Sequence, residues 1–369
     1  MQEVHVLIIG GGVVGLAAAA EIAKKHPRLT VALLERNGGC GREISSRSSE
    51  VIHAGIYYAA GSLRARLCVA GSRLLHEFCA SSGVAHRRIG KLIVAAGPDE
   101  EPSLEELLAS GRHNGVEELV LLGKKQVQAL EPRVQAVSAL WSPSTGIIDS
   151  HGLTRALEQR ASSRGAALAC RHEVTGVQAV PGGYLVRFLS PEGHGSLRAR
   201  WVVNAAGLGA ATIAEMAGIT LQQHFCKGEY FRIPQAKGLM VNHLVYPPPF
   251  RDLLGLGIHV TKALDGSTRL GPNAFYVDRL DYDVDPGHAV EFYESARAYL
   301  PFLELGDLQP DTSGIRAKLQ GPGEPARDFY IRHEADHGLP GFINLLGIES
   351  PGLTSCLAIG SMVSAMVEL

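Results

Sequence analysis

The sequence of 369 residues has almost no excess of positive or negative charge, and no two of its cysteines have CxxC spacing. Lys and Arg together number 35, against 37 Asp and Glu, so the formal net charge is only −2. Such a balance creates no field that would gather nucleic acid, and we expect no nucleic-acid partner. The six cysteines lack CxxC spacing, which argues against a zinc site, a disulfide framework and a dithiol redox centre. They are Cys40, Cys68, Cys79, Cys170, Cys226 and Cys356.

Long apolar runs that would mark a signal peptide or a membrane span are also missing. The N-terminal run that begins at Val6 is broken by four glycines, and Gln2, Glu3 and His5 precede it where a signal peptide carries basic residues. The C-terminal stretch LTSCLAIGSMVSAMVEL, of about 17 residues, is short for a span and predicts a buried helix. We therefore expect a cytoplasmic protein that is not exported, and peripheral contact with the inner membrane is left open.

A strand, a glycine-rich turn, a helix and a second strand follow one another in the first 35 residues. Val4–Ile9, apolar except for His5, is a run typical of a strand buried on both faces. Gly10, Gly12 and Gly15 have the spacing that serves a tight turn, close approach to a pyrophosphate, and close packing of helix on strand. Glu35 ends the second strand 20 residues after Gly15, where a carboxylate can accept hydrogen bonds from ribose hydroxyls. This order of features predicts a dinucleotide site.

The chain contains one complete fingerprint of this kind. The later sequence Gly207-Leu208-Gly209 lacks the third glycine. We therefore expect a single dinucleotide that carries the redox chemistry, and the motif itself leaves NAD and FAD open. The apolar segment Trp201–Val203 runs into Asn204 and predicts a later strand of the same sheet. The nucleotide domain is therefore expected to be assembled from separated segments.

Short strand-like segments dominate the rest of the chain. They are residues 91–95, 226–233, 244–249, 256–261, 268–274, 323–332 and 341–346. The pair Asp265-Gly266 predicts a hairpin turn between two of them, and Glu100–Leu108 predicts an acidic helix. Most of these segments together predict an antiparallel sheet that forms a substrate domain.

Four stretches resemble a known family. They are IIGGGVVGLAAAAEI with LLER, SSRSSEVIHAGIYY with GSLRARLCVAG, KGEYFRI, and GIRAKL with LLGIESPGLTSCLAIG. In these stretches the chain is similar to the FAD-dependent oxidoreductases of the D-amino-acid-oxidase superfamily, and within it to the L-2-hydroxyglutarate dehydrogenase/oxidase group. The resemblance implies FAD, oxidation of a small 2-hydroxy acid at its CH–OH carbon, and an electron acceptor other than NAD, namely a quinone, an electron-transfer protein or oxygen.

The resemblance also implies a fold. It is α/β, or α+β overall, with a Rossmann-like FAD-binding domain in discontinuous segments and a substrate domain built on an antiparallel sheet. We expect residues 1–85, 146–225 and 310–369 in the FAD-binding domain, and residues 86–145 and 226–309 in the substrate-binding domain.

The cofactor-binding residues follow from the fingerprint and the resemblance together. In the relatives, the polar segment after the second strand runs along the pyrophosphate to the flavin, where His53 arrives beside the ring. The N-terminus of the last helix would stabilise negative charge on the reduced flavin. The expected cofactor residues are Gly10, Gly12, Val14, Gly15, Glu35, Arg36, Ser45, Ser46, Arg47, Ser48, His53, Val174, Ala206, Gly207, Gly352, Leu353 and Thr354.

Arg316 is the principal candidate for binding substrate. Its planar guanidinium matches a carboxylate through two parallel hydrogen bonds, and the family resembled here places a G-x-R arginine there for that purpose. The further candidates for substrate contacts are Lys227, Tyr230, Asn273 and Tyr57. Each of these side chains could equally serve sheet packing or an internal ion pair.

The implied mechanism is transfer of a hydride from the substrate Cα to flavin N5, while His53 or His259 accepts the hydroxyl proton. A loop histidine satisfied by backbone, or a buried satisfied histidine, is the structural alternative for each. Two other functions stay open: an amine or amino-acid oxidase or a glycerol-3-phosphate dehydrogenase, and a non-enzymatic nucleotide-binding module.

The cluster from His333 to His337 invites a metal-site interpretation. Two histidines four apart bind a metal well from one face of a helix. The following sequence HGLPG is rich in turn formers, which predicts that such a helix does not extend there. We therefore expect no metal.

Overall fold

The computed structural model describes residues 2–249 and 256–368. Its helices are α1 (Val13–Lys25), α2 (Leu63–Ser82), α3 (Glu101–His113), α4 (Lys124–Leu130), α5 (Ser150–Ser163), α6 (Ala210–Met216), α7 (Gln235–Gly238), α8 (Ala289–Ala296) and α9 (Gly352–Met366). Its strands are β1 (Gln2–Ile9), β2 (Val31–Glu35), β3 (Val51–Ile52), β4 (His86–Arg88), β5 (Lys91–Ala95), β6 (Val120–Gly123), β7 (Ser138–Ser142), β8 (Gly146–Ile148), β9 (Ala167–Cys170), β10 (Glu173–Val180), β11 (Gly183–Ser190), β12 (Gly193–Asn204), β13 (His224–Arg232), β14 (Leu244–Tyr246), β15 (Val260–Lys262), β16 (Thr268–Leu270), β17 (Phe275–Val277), β18 (Gln309–Lys318), β19 (Tyr330–His333) and β20 (Phe342–Leu346).

An eight-stranded sheet carries the βαβ unit. Its order is β10-β11-β12-β1-β2-β9, with β20 paired to β12 and β19 paired to β20. Strand β1 is parallel to both β2 and β12, as expected for the first strand and the later strand that returns to it. Val6 and Ile8 pack into the core on one face of the sheet, and Leu7 and Ile9 pack on the other. This burial on both faces explains the unbroken apolar run.

Helices α1, α5 and α9 pack together against one face of this sheet. The four alanines from Ala17 to Ala20 are all buried. Their small size lets α1 lie very close to α9, where a Cβ added to Gly360 would be 2.8 Å from the backbone of Ala17. The predicted buried C-terminal helix is therefore confirmed as α9. No helix in the described ranges combines the length and apolar character that crossing a membrane requires.

A nine-stranded sheet forms the second layer of the fold. Its order is β17-β13-β16-β15-β14-β5-β7-β6, with β18 paired to β13, and only β14 and β5 run parallel. Strands β15 and β16 form the predicted hairpin: the N–H of Ala263 donates to the carbonyl of Ser267, and Gly266 has φ +85°. A third sheet, β3-β8-β4, has three short strands. The predicted fold class, a discontinuous α/β nucleotide fold with a largely antiparallel sheet, is confirmed.

Several strands are shorter than their sequence segments. The segment 244–249 ends as a strand at Tyr246, because the three prolines that follow have no N–H to donate. Of residues 256–261, only the last two belong to β15, which continues to Lys262. The strand predicted over 323–332 forms only from Tyr330 onwards, because Pro325 and the turn at Gly323, with φ +76°, interrupt it.

The position of β18 bears on the predicted division into domains. Residues 310–318, which we assigned to the FAD-binding segments, lie in a strand of the nine-stranded sheet and pair with β13 from Phe231 to His224. The division itself stays a proposal, with this boundary moved to residue 318.

Candidate active site

A cavity of about 1080 Å³ is lined by residues of both large sheets. Gly10, Gly12 and Glu35 of the βαβ unit contribute to it, and so do His259 of the nine-stranded sheet region and Thr354 of α9. Cavities for drug-sized ligands span roughly 300–1,000 Å³, so this one has room for a dinucleotide and a small substrate.

The glycine-rich turn brings backbone close to the cavity. Gly10 has φ +107°, and a Cβ there would be 2.4 Å from the carbonyl oxygen of Ala205. Gly12 lines the cavity. Gly15, in contrast, does not line it, and a Cβ there would be 2.0 Å from the carbonyl oxygen of Gly10. Gly15 therefore lies where helix α1 packs closely on the turn, which is the role that the fingerprint predicts for its third glycine, and its place among the cofactor residues stays a prediction.

Glu35 lies at the end of β2 and is 7% exposed. Its Oε2 accepts the N–H of Gly11 at 2.7 Å, and its Oε1 accepts the N–H of Asn37 at 2.7 Å. Its Oε1 also accepts from Asn37 Nδ2 at 2.8 Å. A carboxylate has about four acceptor sites, so with these three donors one site remains for a ligand in the cavity. These two backbone bonds hold the carboxylate in place, which suits the ribose contact that we propose for it.

The polar segment after β2 folds into a short 3-10 helix, Ile44–Arg47. Ser45 Oγ accepts the N–H of Val13, at the N-terminus of α1, at 3.1 Å. Arg47 and Ser48 also line the cavity, and the Arg47 guanidinium lies 3.9 Å from the centroid of the Tyr282 ring. Ser46 does not line the cavity, because its hydroxyl turns back and donates to the carbonyl of Glu43 at 3.2 Å. The role of Ser46 in binding the cofactor stays a prediction.

The N-terminus of α9 opens onto the same cavity. Gly352, Leu353 and Thr354 line it, and no side chain caps the helix. Thr354 Oγ1 accepts the N–H of His53 at 3.0 Å and donates to the carbonyl of Val51 at 3.3 Å. This bridge ties the histidine segment to the positive end of the helix dipole, next to unpaired N–H groups. The other predicted cofactor residues that line the cavity are Val14, Arg36, Val174, Ala206 and Gly207.

His53 and His259 both line the cavity and are both buried. Burial lowers the pKa of each imidazole to about 3, and the charge of Lys91 acts in the same direction. Both rings are therefore neutral at physiological pH. Nε2 of His53 lies 3.3 Å from Ser350 Oγ, and its Nδ1 is buried with no hydrogen-bond partner in the described part of the chain.

The tautomer of His259 follows from its contacts. Its Nδ1 lies 2.6 Å from the carbonyl oxygen of Gly257, and its ring stacks on Tyr246 with 3.6 Å between centroids. A neutral ring in this position carries its proton on Nδ1, which leaves Nε2 as an acceptor. His259 thus offers a fixed, unprotonated nitrogen.

Arg316 lines the cavity and is only partly exposed. Its contacts are weak: Nη1 lies 3.7 Å from Cys226 Sγ, and Nη2 lies 3.5 Å from the carbonyl oxygen of Asn273. No carboxylate within the described ranges forms a salt bridge with it. Tyr57 and Tyr230 also line the cavity.

Two predicted substrate residues lie elsewhere. Lys227 Nζ contacts the carbonyl of Asp283 and lies 3.4 Å from Glu229 Oε1. Asn273 accepts the N–H of Glu229 and lies 3.3 Å from Glu291 through Nδ2. Neither side chain lines the cavity. Both side chains thus have the contacts of the predicted alternative, an internal polar network around Glu229, and their role in binding substrate stays a prediction.

Sequence reasoning missed four charged residues at this site. Arg64, Lys318 and Glu349 line the cavity together, and Lys91 lies buried beside it at 1% exposure. Two signals were available. Lys318 follows Arg316 by two positions, so in a strand it shares its face. Lys91 opens an apolar strand, where a lysine is unusual.

Lys91 yields a prediction about stability and pH. Its Nζ lies 4.4 Å and 4.8 Å from the ring centroids of Tyr57 and Tyr246. Burial lowers its pKa from 10.5 to about 7. Between these values the unfolded chain holds a proton that the folded chain lacks, so this group makes the free energy of unfolding rise with pH. The slope is about 1.4 kcal/mol per pH unit.

Replacing Lys91 by methionine should remove this slope. We expect Lys91→Met to be more stable than the unsubstituted protein at pH 7, and the difference to shrink by about 2–3 kcal/mol on going to pH 9. Urea unfolding of both proteins at the two pH values measures it. An unchanged difference between the two proteins would show that Lys91 has an ordinary pKa.

The histidine pair of the HEADH sequence is engaged within the protein. His337 Nδ1 lies 2.6 Å from Glu334 Oε2, and His333 Nε2 accepts the N–H of Gly341 at 2.8 Å. Gly338, with φ +77°, ends the short 3-10 helix Glu334–His337. Over residues 2–249 and 256–368, no group of three or more His, Cys, Asp or Glu side chains has the arrangement to hold a metal.

Comparison with known proteins decides the family. The family model described as "FAD dependent oxidoreductase" matches residues 5–366. The chain belongs to this family. L-2-hydroxyglutarate dehydrogenase of Arabidopsis thaliana mitochondria is 36% identical, over 98% of this chain and 83% of the relative. The enzyme of the same name from Escherichia coli K12 is 29% identical, over 98% of this chain and 92% of the relative.

Solved structures of the family agree with the fold. L-alpha-glycerophosphate oxidase from Mycoplasma pneumoniae, with FAD bound, has a TM-score of 0.88 at 27% identity and covers 100% of this chain and 96% of that one. Glycine oxidase from Geobacillus kaustophilus has a TM-score of 0.81 at 22% identity, again over 100% and 96%, and shows the shared fold alone.

The cavity fits the FAD of this family. A glycine faces it at the N-terminus of α1, a fixed carboxylate ends β2, and the uncapped N-terminus of α9 supplies unpaired N–H groups. These are the features that a pyrophosphate, a ribose and an electron-rich ring respectively require. The protein is a FAD-dependent oxidoreductase.

Proposed function

We propose that the protein oxidises a small 2-hydroxy acid of the L-2-hydroxyglutarate type to the 2-oxo acid. The named relatives support this substrate class, because they are L-2-hydroxyglutarate dehydrogenases matched over nearly the whole chain. The observation that carries the proposal is Arg316, a cation that faces the cavity and whose partners among the described residues are only a thiol and a carbonyl. A substrate carboxylate would supply the bidentate partner that it lacks.

We propose that the chain holds FAD through two sets of residues. Gly10, Gly12, Ser45 and the N-terminus of α1 would hold the pyrophosphate, and Glu35 the ribose. The N-terminus of α9, with Thr354 fixing the segment of His53, would hold the ring. FAD, when bound, accepts a hydride from the substrate carbon at N5.

The protein's own residues would handle the carboxylate and the proton. Arg316 fixes the C1 carboxylate and thereby orients Cα. Nε2 of His259 would accept the hydroxyl proton, because its Nδ1 is already committed to the carbonyl of Gly257 and Nε2 is left as the acceptor. His53, held through its N–H by Thr354, lies beside Ser350 and completes the polar wall of the site.

The number of dinucleotide fingerprints in the sequence bears on the electron acceptor. A single dinucleotide fingerprint leaves no site for NAD in addition to FAD, so we propose that a quinone, an electron-transfer protein or oxygen reoxidises the flavin. A location in the cytoplasm, with or without peripheral contact at the inner membrane, is part of the same proposal.

An anaerobic substrate screen tests the proposed function. We expect the purified protein to hold one FAD per chain, and its flavin absorbance to bleach on addition of L-2-hydroxyglutarate. Glycine, glycerol 3-phosphate and the D-hydroxy acid are the comparison compounds. Bleaching by glycine or glycerol 3-phosphate, with none by any 2-hydroxy acid, would replace the proposal with one of the two alternative oxidase functions.

A further inference from the structure

Three charged side chains from distant parts of the sequence meet at the cavity. Arg64 lies in the first turn of α2, Lys318 at the end of β18, and Glu349 in the loop that follows β20. Arg64 Nη2 lies 2.8 Å and Lys318 Nζ 3.1 Å from the same oxygen, Glu349 Oε1. All three residues line the cavity that contains Arg316.

The charges in this cluster do not balance. The side chains of Arg64, Lys318 and Glu349 are 14%, 5% and 4% exposed, so water screens them little. Burial alone would raise the pKa of the Glu349 carboxyl, but the charges of Arg64, Lys318 and Arg316 outweigh it and lower that pKa. Glu349 is therefore ionised. One carboxylate faces two cations, and a third cation stands nearby.

Arg64 also has an unused donor. Its Nε is buried and has no hydrogen-bond partner among the residues that the structure describes. A buried, unpaired donor on a charged group is costly, as is a buried charge without a partner. The excess positive charge would be met by an anion in the cavity beside the cluster.

The position of Lys318 sets the distance between this anion and the carboxylate that Arg316 would bind. Lys318 and Arg316 share one face of β18, and residues two apart in a strand are separated by about 6.6 Å. The two carboxylate carbons of a five-carbon diacid lie about 5 Å apart when its chain is extended. Two side chains at this spacing can each bind one end of such a molecule.

We infer that Arg64 and Lys318, held by Glu349, form a second anion subsite that selects 2-hydroxy acids with a carboxylate at the far end of the chain. This subsite rests on the proposed oxidation of a 2-hydroxy acid, and it determines which 2-hydroxy acids the protein would select. Arg316 binds the carboxylate next to the reacting carbon, and the cluster binds the other. An apolar chain end would leave the excess positive charge buried without a partner.

Two pairs of compounds of equal chain length test the subsite. L-2-hydroxyglutarate and L-2-hydroxypentanoate differ at the far end, and we expect kcat/KM to favour the diacid by roughly 30-fold or more, the effect of leaving a buried charge unpaired. Glutarate and pentanoate, which carry no hydroxyl, test binding alone. Calorimetric titration of the FAD-loaded protein should show glutarate binding more tightly by a similar factor.

The variant Lys318→Met removes one cation at nearly constant shape. We expect the preference for the diacid, in both turnover and binding, to fall at least tenfold. Lys318→Arg keeps the charge and should restore most of the preference. Lys318→Gln, which can still bond to Glu349, replaces the methionine variant if that one does not fold. Lys262→Met is the matched control, because Lys262 donates to the carbonyl of Val241 and does not line the cavity.

The outcomes separate the subsite from the proposed function. Equal turnover of the two hydroxy acids by the unsubstituted protein, or an unchanged preference in Lys318→Met, would overturn the subsite while 2-hydroxy-acid oxidation stands. Turnover of neither hydroxy acid would overturn the proposed function. In that case the binding of glutarate against pentanoate still decides the subsite.

Discussion

Replacing Gly12 by leucine is expected to abolish FAD binding and leave the fold intact. Gly12 is the N-cap of α1 with φ −72°, a conformation open to any residue, so a side chain introduces no backbone strain. A Cβ there would meet only Ser45 Oγ, at 3.1 Å, and the rest of a leucine would extend into the cavity that Gly12 lines. It would block the close approach of a pyrophosphate to the N–H groups of the helix.

The loss of FAD affinity should exceed about 100-fold, equivalent to roughly 3 kcal/mol. The FAD content of the purified variant, read from its visible absorbance per chain, measures it, and far-UV circular dichroism reports the fold. Gly306→Leu is the matched control, since a Cβ at Gly306 meets nothing within 4 Å and its φ is ordinary. Gly15→Ala should behave differently and fail to fold, because its Cβ would be 2.0 Å from the carbonyl oxygen of Gly10. A Gly12→Leu protein that retains one FAD per chain would show that the pyrophosphate lies elsewhere.

Local patterns in the sequence were sufficient to predict the dinucleotide-binding part of the fold. The run Val4–Ile9, apolar except for His5, predicted a strand covered on both faces, and β1 has cores on both sides. The three glycines and Glu35 lie close together in the sequence, so their spacing directly reflects local geometry. The strand predicted over 323–332 forms only in part, because Pro325 and the turn at Gly323 interrupt it.

The position of Lys227 away from the cavity has a simple physical cause. In a strand, neighbouring residues point to opposite faces, and sequence alone does not say which face meets the cavity. In β13, Gly228 and Tyr230 line the cavity, so Lys227 and Glu229 point away and pair with each other at 3.4 Å. A shift of one residue therefore separates a substrate contact from an internal ion pair.

The cluster of Arg64, Lys318 and Glu349 was beyond local inference. Arg64 and Glu349 are 285 residues apart in the sequence, and the packing of α2 against α9, which begins three residues after Glu349, brings them together. Charge pairs of such separation leave no periodic signal. They are also where the specificity of a shared fold is determined, because the fold itself supports many substrates.

The second large effect is expected at Arg316. We expect Arg316→Lys and Arg316→Ala to keep FAD and to lower kcat/KM for the L-2-hydroxy acid by roughly 30-fold or more, which corresponds to about 2–5 kcal/mol for a charged pair left incomplete. Lysine keeps the charge but not the planar fork, so most of the loss should appear in that variant as well. Stopped-flow reduction of the flavin under anaerobic conditions measures the effect on the chemical step.

The side chain of Arg232 provides the control for these variants. It lies in the same sheet, is 57% exposed, and pairs with Asp311 away from the cavity, so Arg232→Lys should stay within about threefold of the unsubstituted protein. An Arg316→Ala protein that stays within the same threefold would show that Arg316 supports β13 through its contacts with Cys226 and Asn273. The C1 carboxylate would then have to bind at Arg64 and Lys318. In that case a single diacid could not occupy two sites, and the monocarboxylate and the diacid would be oxidised at similar rates.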